Sequence, residues 1–269
     1  MNATRRQLCI ASLLAAGGVR AQAERRLALV IGNGAYRVGP LKNPVNDAQA
    51  IAAQLRNLGF DVMQRENLGL RDMIESFRQF SLAARSAAVR LVFYAGHGVQ
   101  VKGRNYLLPV DTEIRGEDEM PAKSADLNEL LDRLGAIKQG INIFILDACR
   151  NNPFSGRVIT GPDGRRLKFR GIAASGLARV DAPLGSMVAF STSPDGVALD
   201  NPDERNSLYT KHLLASMQAP GLPIELVFKQ VRLSVARETG RAQVPWESSS
   251  LTGDFCFQPS ADGTCTVQR

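Results

Sequence analysis

The chain has 269 residues, 44% of them hydrophobic and 22% charged, with a formal net charge of +7. Those proportions are those of an ordinary globular protein and exclude a disordered, collagen-like or long coiled-coil chain. A chain of this length buries a substantial core without staples, as one large domain or two small ones.

Residues 1–23 read as an export signal. Arg5 and Arg6 form a charged start, Leu8 to Ala16 is a short apolar run, and Ala21-Gln22-Ala23 is a small-x-small cleavage pattern. The paired arginines in TRRQL resemble a twin-arginine signal; a frayed N-terminal helix is the competing reading. The apolar run is shorter than the about 20 residues a bilayer span needs, and no later segment is long and apolar enough, so no stable membrane span is expected. Removing the signal takes away Arg5, Arg6 and Arg20 and no acid, which lowers the formal charge from +7 to +4. The mature protein is expected to be periplasmic or secreted.

Leu27 to Gly32 (LALVIG) has the pattern of a buried parallel strand. Ala48, Ile51, Ala52, Leu55 and Leu58 recur at helical spacing, and Gly59 stops that helix. Phe60 to Met63 is a second strand, and Leu70, Met73, Ile74, Phe77 and Phe80 form another helical stripe. Val89 to Tyr94 is a third strand that runs into Gly96-His97-Gly98, and residues 99–109 read as a hairpin turning near Lys102-Gly103. Leu127, Leu130, Leu131 and Leu134 mark a helix, and Ile141 to Leu146 a fourth strand that leads into Asp147-Ala148-Cys149. Strands alternating with helices predict a parallel sheet covered on both faces, with chemistry beyond the carboxyl ends of the strands.

Residues 150–183 are rich in Gly, Pro and Arg and show no apolar period, as functional or disordered loops do. The basic run Arg165, Arg166, Lys168 and Arg170 lacks stacking aromatics beyond Phe169, so it reads as a solvated loop and no nucleic-acid partner is expected. A fifth strand follows at Met187 to Phe190, then helices near 206–218 and 223–237. The tail from Arg241 carries the only tryptophan, Trp246.

Of the two histidines, His212 falls in a helical pattern and reads as a surface or packing residue, whereas His97 stands between two glycines at the end of an apolar strand. Cys149 also ends an apolar strand, amid Asp147, Arg150, Asn151 and Asn152, which do not belong in a strand interior. An imidazole and a thiol at adjacent strand ends make the nucleophile–base pair that acyl transfer needs, the imidazole favouring the reactive thiolate. Backbone N–H groups of Gly98 and Cys149 are placed to stabilise an oxyanion. The competing reading is a structural histidine in a turn and a core cysteine. The segment GNGAYRVG at 32–39 lacks the G-x-G-x-x-G spacing, so a nucleotide site is rejected.

YAGHG at 94–98 and LDACRNNPF at 146–154 resemble the two active-site signatures of the caspase/metacaspase superfamily, whose cysteine follows its histidine by about 50 residues. ALVIGNGAY at 28–36, LKNPVNDA at 41–48, NSLYTKHLL at 206–214 and QVPWESSSL at 243–251 resemble further segments of bacterial members. The resemblance implies an α/β fold, a caspase-like αβα sandwich with a mostly parallel central sheet and its first four strands in the order 2-1-3-4. It implies a cysteine endopeptidase acting through a Cys149–His97 dyad without an obligatory third side chain. It divides the chain into the signal 1–23, a peptidase domain 24–258 and a tail 259–269. Within the domain lie a large-subunit-like part 24–155, a linker loop 156–183 and a small-subunit-like part 184–258. The basic residues of the loop 150–183, among them Arg157, Arg165, Arg166, Lys168, Arg170 and Arg179, make it a candidate for self-cleavage, with an ordinary exposed loop as the alternative.

The resemblance also bears on specificity. The position two before the nucleophile lines the primary pocket; caspases that cut after Asp have Gln there, metacaspases have Asp, and this chain has Asp147. Asp47 matches a second acidic pocket residue, and Leu41 stands where caspases carry a substrate-binding Arg. The implied partners are protein or peptide substrates with basic residues, cut after Arg or Lys. Asp47 has a compatible second role at the start of a helix, where a carboxylate is favoured. The alternative function is a catalytically weak caspase-like binding or scaffold protein.

Cys256 and Cys265 lie close together in the polar tail and can pair in an oxidising compartment. No cofactor is required. Calcium is left open by Asp111, Glu113, Glu117, Asp118 and Glu119, for which a solvated acidic loop is the alternative.

Overall fold

In a computed structural model, residues 24–149, 158–160, 166–168, 177–193, 198 and 203–265 are described. The export signal at 1–23 and most of the basic loop, including Arg157, Arg165 and Arg170, lie outside the described residues. The strands and helices follow in chain order as β1 (Arg26–Gly32), α1 (Pro44–Asn57), β2 (Phe60–Glu66), α2 (Leu70–Ala83), β3 (Val89–Val101), β4 (Arg104–Leu107), α3 (Met120–Lys123), β5 (Ala125–Asp126) and α4 (Leu127–Gly135). They continue as β6 (Ile141–Cys149), β7 (Val158–Thr160), β8 (Arg166–Lys168), β9 (Ser186–Phe190), α5 (Leu208–Ser216), α6 (Ile224–Glu238) and β10 (Trp246–Ser249).

The main sheet runs β10-β9-β6-β3-β1-β2. β1 pairs in parallel with β2 and β3, β3 with β6, and β6 with β9, while β10 closes the edge antiparallel to β9. The expected order 2-1-3-4 is therefore β2-β1-β3-β6. Successive side chains of a strand point to opposite faces, so each strand feeds two cores. Ala28, Val30, Leu91, Phe93, Ile143 and Ile145 pack under α1, α5 and α6. Leu27, Leu29, Ile31, Val92, Phe144 and Leu146 pack under α2 and α4 on the other side. Burial on both faces is why these strands read as nearly continuous apolar runs, in which Arg90 and Asn142 are buried and paired with each other.

Local differences from the sequence reading have physical causes. α1 begins at Pro44, directly after Asn43 and three residues before Asp47; the fixed φ of proline suits the first helical position. The hairpin turns on Lys102 and Gly103, with φ of 50° and 79°, so that Val101 pairs with Arg104; both residues at positive φ match the twist of the flanking strands. β3 and β6 run on past Tyr94 and Leu146 to Val101 and Cys149. The tail holds a strand, β10, which is partly exposed and polar (WESS) and so lacks an apolar signature. β7 and β8 pair within the Gly- and Arg-rich stretch, and Leu177 and Val180 near its end are buried in the core beneath α2 and α4.

Candidate active site

Because the four central strands are parallel, their carboxyl ends share one edge of the sheet. The register of β3 with β6 ends on His97 opposite Cys149, preceded by Gly96 opposite Ala148 and Ala95 opposite Asp147. The edge therefore brings the two sequence-identified positions side by side, on strands about 4.8 Å apart.

His97 is buried, 5% exposed. Its Nε2 lies 2.7 Å from the carbonyl oxygen of Gly39. A carbonyl only accepts, so Nε2 carries the proton, and in the neutral ring the lone pair resides on Nδ1. The imidazole packs against Tyr36, with ring centroids 4.4 Å apart. The third member of the arrangement is thus a main-chain carbonyl from the loop after β1. Sequence reasoning had no signal for it, since any residue type supplies a carbonyl.

Gly98 pairs with Leu107 of β4, and a Cβ there would come within 3.0 Å of Leu177 Cδ2 and 3.3 Å of Ala148 Cβ. Glycine is what lets β3 pass close to both.

Asp47 and Asp147 meet at one residue, Ser207, the N-cap of α5. Asp47 Oδ1 accepts from the backbone N–H of Ser207 and from Asn206 Nδ2, each at 2.9 Å. Asp147 Oδ2 accepts from Ser207 Oγ and from Thr210 Oγ1, the latter at 2.9 Å. Asn43 Nδ2 donates to the carbonyls of Glu204 and Arg205, holding the same segment. Both carboxylates are buried, and both stand at the amino end of a helix, where the dipole favours negative charge. Ser207 and Thr210 escaped the sequence reading, although a serine opening an apolar helical run is a capping signal. The field of Asp147 also reaches Tyr209: burial first, then Asp147 and Glu247, push its phenol well above the ordinary range.

The acidic stretch makes local contacts. Asp111 Oδ1 accepts from Leu70 N–H at the start of α2, Glu113 pairs with Arg37, and Glu119 pairs with Lys123. Hydrogen bonds from Lys123 and from the Arg115 N–H lower the Glu119 pKa. Among the described residues no group of three or more His, Cys, Asp or Glu is placed to hold a metal ion. Cys256 and Cys265 form a disulfide with Cα atoms 5.4 Å apart. It borders a cavity of about 720 Å³ lined also by Arg26, Val89 and Ile141, at the amino ends of the strands and hence opposite the His97 edge. No helix among the described residues is long and apolar enough to cross a membrane.

The family model of the caspase domain, Peptidase C14, matches residues 25–256. The human mucosa-associated lymphoid tissue lymphoma translocation protein 1 is 32% identical over 132 residues, 48% of this chain and 15% of that protein. Pig caspase-1 is 26% identical over 247 residues, 87% of this chain and 59% of that protein. The chain thus spans less than two thirds of the length of either relative. The crystal structure of caspase-1 from Spodoptera frugiperda superposes with a TM-score of 0.61 at 18% identity, covering 89% of this chain and 92% of that one.

Proposed function

The chain belongs to the caspase-domain family and carries a caspase-like protease domain, and from that premise we propose that it is a cysteine endopeptidase in which His97 activates Cys149. The observation that carries this reading is the register pairing of His97 with Cys149 at the carboxyl edge of the sheet, with His97 Nε2 tied to the Gly39 carbonyl. In the reaction, Nδ1 of His97 takes the thiol proton and the thiolate attacks the scissile carbonyl carbon. The N–H groups of Gly98 and Cys149 hold the developing oxyanion. The imidazolium then protonates the leaving amine, and the thioester is hydrolysed by water that gives its proton back to His97. No cofactor enters these steps.

For specificity, we propose cleavage after Arg or Lys, with Asp47 and Asp147 supplying the negative charge of the primary pocket. Their convergence on Ser207 supports this. A pair of unit charges at about 4 Å is worth roughly 4 kcal/mol at an effective dielectric of 20, before desolvation is deducted. The test is a library of fluorogenic peptides varied at the residue before the cut, run on wild type and Cys149→Ala, with calcium and with chelator. Faster cleavage after Asp than after Arg would overturn the specificity. Equal turnover by Cys149→Ala would overturn the mechanism.

We further propose export. The layout of residues 1–23 and the Cys256–Cys265 disulfide both suit an oxidising compartment. A mature amino terminus at Glu24 in the periplasmic fraction is expected; an intact Met1 start in the cytoplasm would count against it.

A further inference from the structure

The loop GNGAYRVG at 32–39 has no nucleotide-binding spacing, and its conformation points to another task. Asn67, at φ 50° just past β2, accepts the N–H groups of Gly34 and Ala35 on its Oδ1, at 3.0 and 2.9 Å. That fixes the loop where Tyr36 and Gly39 both reach His97.

Tyr36 enters the hydrogen-bond ladder between β3 and β4. The Leu108 N–H donates to the His97 carbonyl at 3.0 Å, as one half of a paired antiparallel rung. The return bond takes a different course: the His97 N–H donates 2.9 Å to Tyr36 Oη, which lies 3.2 Å from the Leu108 carbonyl. The phenol is spliced into the rung. A second phenol flanks it, Tyr94 Oη, which donates to the His97 carbonyl at 2.8 Å and lies 3.1 Å from Tyr36 Oη. The two hydroxyls thus grip the peptide groups on both sides of the His97 Cα, and the Tyr36 ring packs against the imidazole.

This arrangement explains the first glycine of GHG. A Cβ at position 96 would lie 2.5 Å from Tyr36 Oη and 2.7 Å from Tyr94 Oη, at a φ of +154°. Any side chain there would expel the hydroxyls.

We propose that Tyr36 is a positioning residue for His97: its hydroxyl, placed by the Asn67-anchored loop and admitted by Gly96, sets the backbone and ring orientation that leave Nδ1 as the base. The proposal rests on the dyad reading, and the experiment separates the two.

Tyr36→Phe keeps the ring and removes the hydroxyl. It is measured in three ways: kcat and KM on an Arg peptide, thermal midpoint, and ¹⁵N chemical shifts of the imidazole across pH in a His212→Gln background, where His97 is the only histidine. The expected result is a fall in kcat of about tenfold or more with KM changed less than about twofold, together with altered His97 ¹⁵N shifts in a folded protein. Tyr94→Phe should act in the same direction, and Gly96→Ala more severely. A folded Tyr36→Phe with kcat within about twofold of wild type and unchanged ¹⁵N shifts overturns the positioning role and leaves the peptidase reading intact. A wild type that cleaves no peptide overturns the peptidase reading, and the ¹⁵N shifts alone then decide on Tyr36: altered shifts uphold the positioning, unchanged shifts sink it.

Discussion

His97 and Cys149 are register partners at the last paired position of β3 and β6, two neighbouring parallel strands. Residues so paired are held by the sheet rather than by a loop, which would suit the proton exchange proposed for this pair. Cys149→Ala and His97→Ala should each lower kcat/KM by several orders of magnitude, since members of a unit that acts together are not separable contributors. Thermal unfolding should show both variants folded. Retention of near-full turnover by either folded variant would remove the mechanism.

Asp147→Asn tests charge against anchoring. Asparagine keeps an acceptor for Ser207 Oγ and Thr210 Oγ1, so α5 should stay attached and stability should fall by no more than about 1–2 kcal/mol. Turnover of Arg substrates should fall far more, by one to two orders of magnitude if about half of a roughly 4 kcal/mol interaction survives desolvation. An equal loss on Arg and on uncharged substrates would instead assign Asp147 to holding α5. Denaturant unfolding beside kinetics on the paired substrates gives the answer.

The parts of the fold that bury apolar surface were legible in the sequence, because burial imposes periodicity. LALVIG, VRLVFY and INIFIL each signal a two-sided strand, and the helical stripes of α1, α2 and α4 signal the layers above and below. His97 and Cys149 stood out because polar chemistry interrupts those runs at their carboxyl ends. Tyr36, Gly39 and Asn67 did not, because each acts through a single group (a hydroxyl, a main-chain carbonyl and a side-chain amide oxygen) on a partner distant in sequence. β10 was silent for a related reason: as a partly exposed edge strand it needs only main-chain pairing with β9. Ser207 was readable as a helix cap, but its joint hold on Asp47 and Asp147 depends on α1, β6 and α5 meeting in space.

The disulfide should matter to stability and not to turnover. Cys256 and Cys265 are nine residues apart, and closing so short a loop stabilises by about 2–3 kcal/mol through the unfolded chain. It lies at the amino ends of the strands, away from His97, so its loss should leave turnover unchanged. Cys265→Ser should lower the free energy of denaturant unfolding by that amount and leave kcat/KM on an Arg peptide within about twofold. A large loss of kcat at full folding would show that the two ends of the sheet are coupled.

Tyr209 should contribute to the response to alkali. Its hydroxyl is buried and finds no hydrogen-bond partner among the described residues. Burial, the Asp147 carboxylate and Glu247 all disfavour its phenolate, so its folded pKa lies well above the unfolded value near 10. For an acid whose pKa is raised on folding, the two states bind the proton equally below the unfolded pKa. Above it the unfolded chain has lost the proton while the folded chain keeps it, so stability falls as pH rises. The loss should begin near pH 10 and steepen by up to about 1.4 kcal/mol per pH unit from this one group. Tyr209→Phe removes both the titration and the unsatisfied hydroxyl. At pH 7 it should be neutral or stabilising by up to about 1 kcal/mol, and above pH 10 it should unfold later than wild type. Urea unfolding of the two proteins at pH 7, 9 and 11 measures the difference. Parallel loss of stability in both from pH 9 to pH 11 would show that other groups govern the alkaline transition.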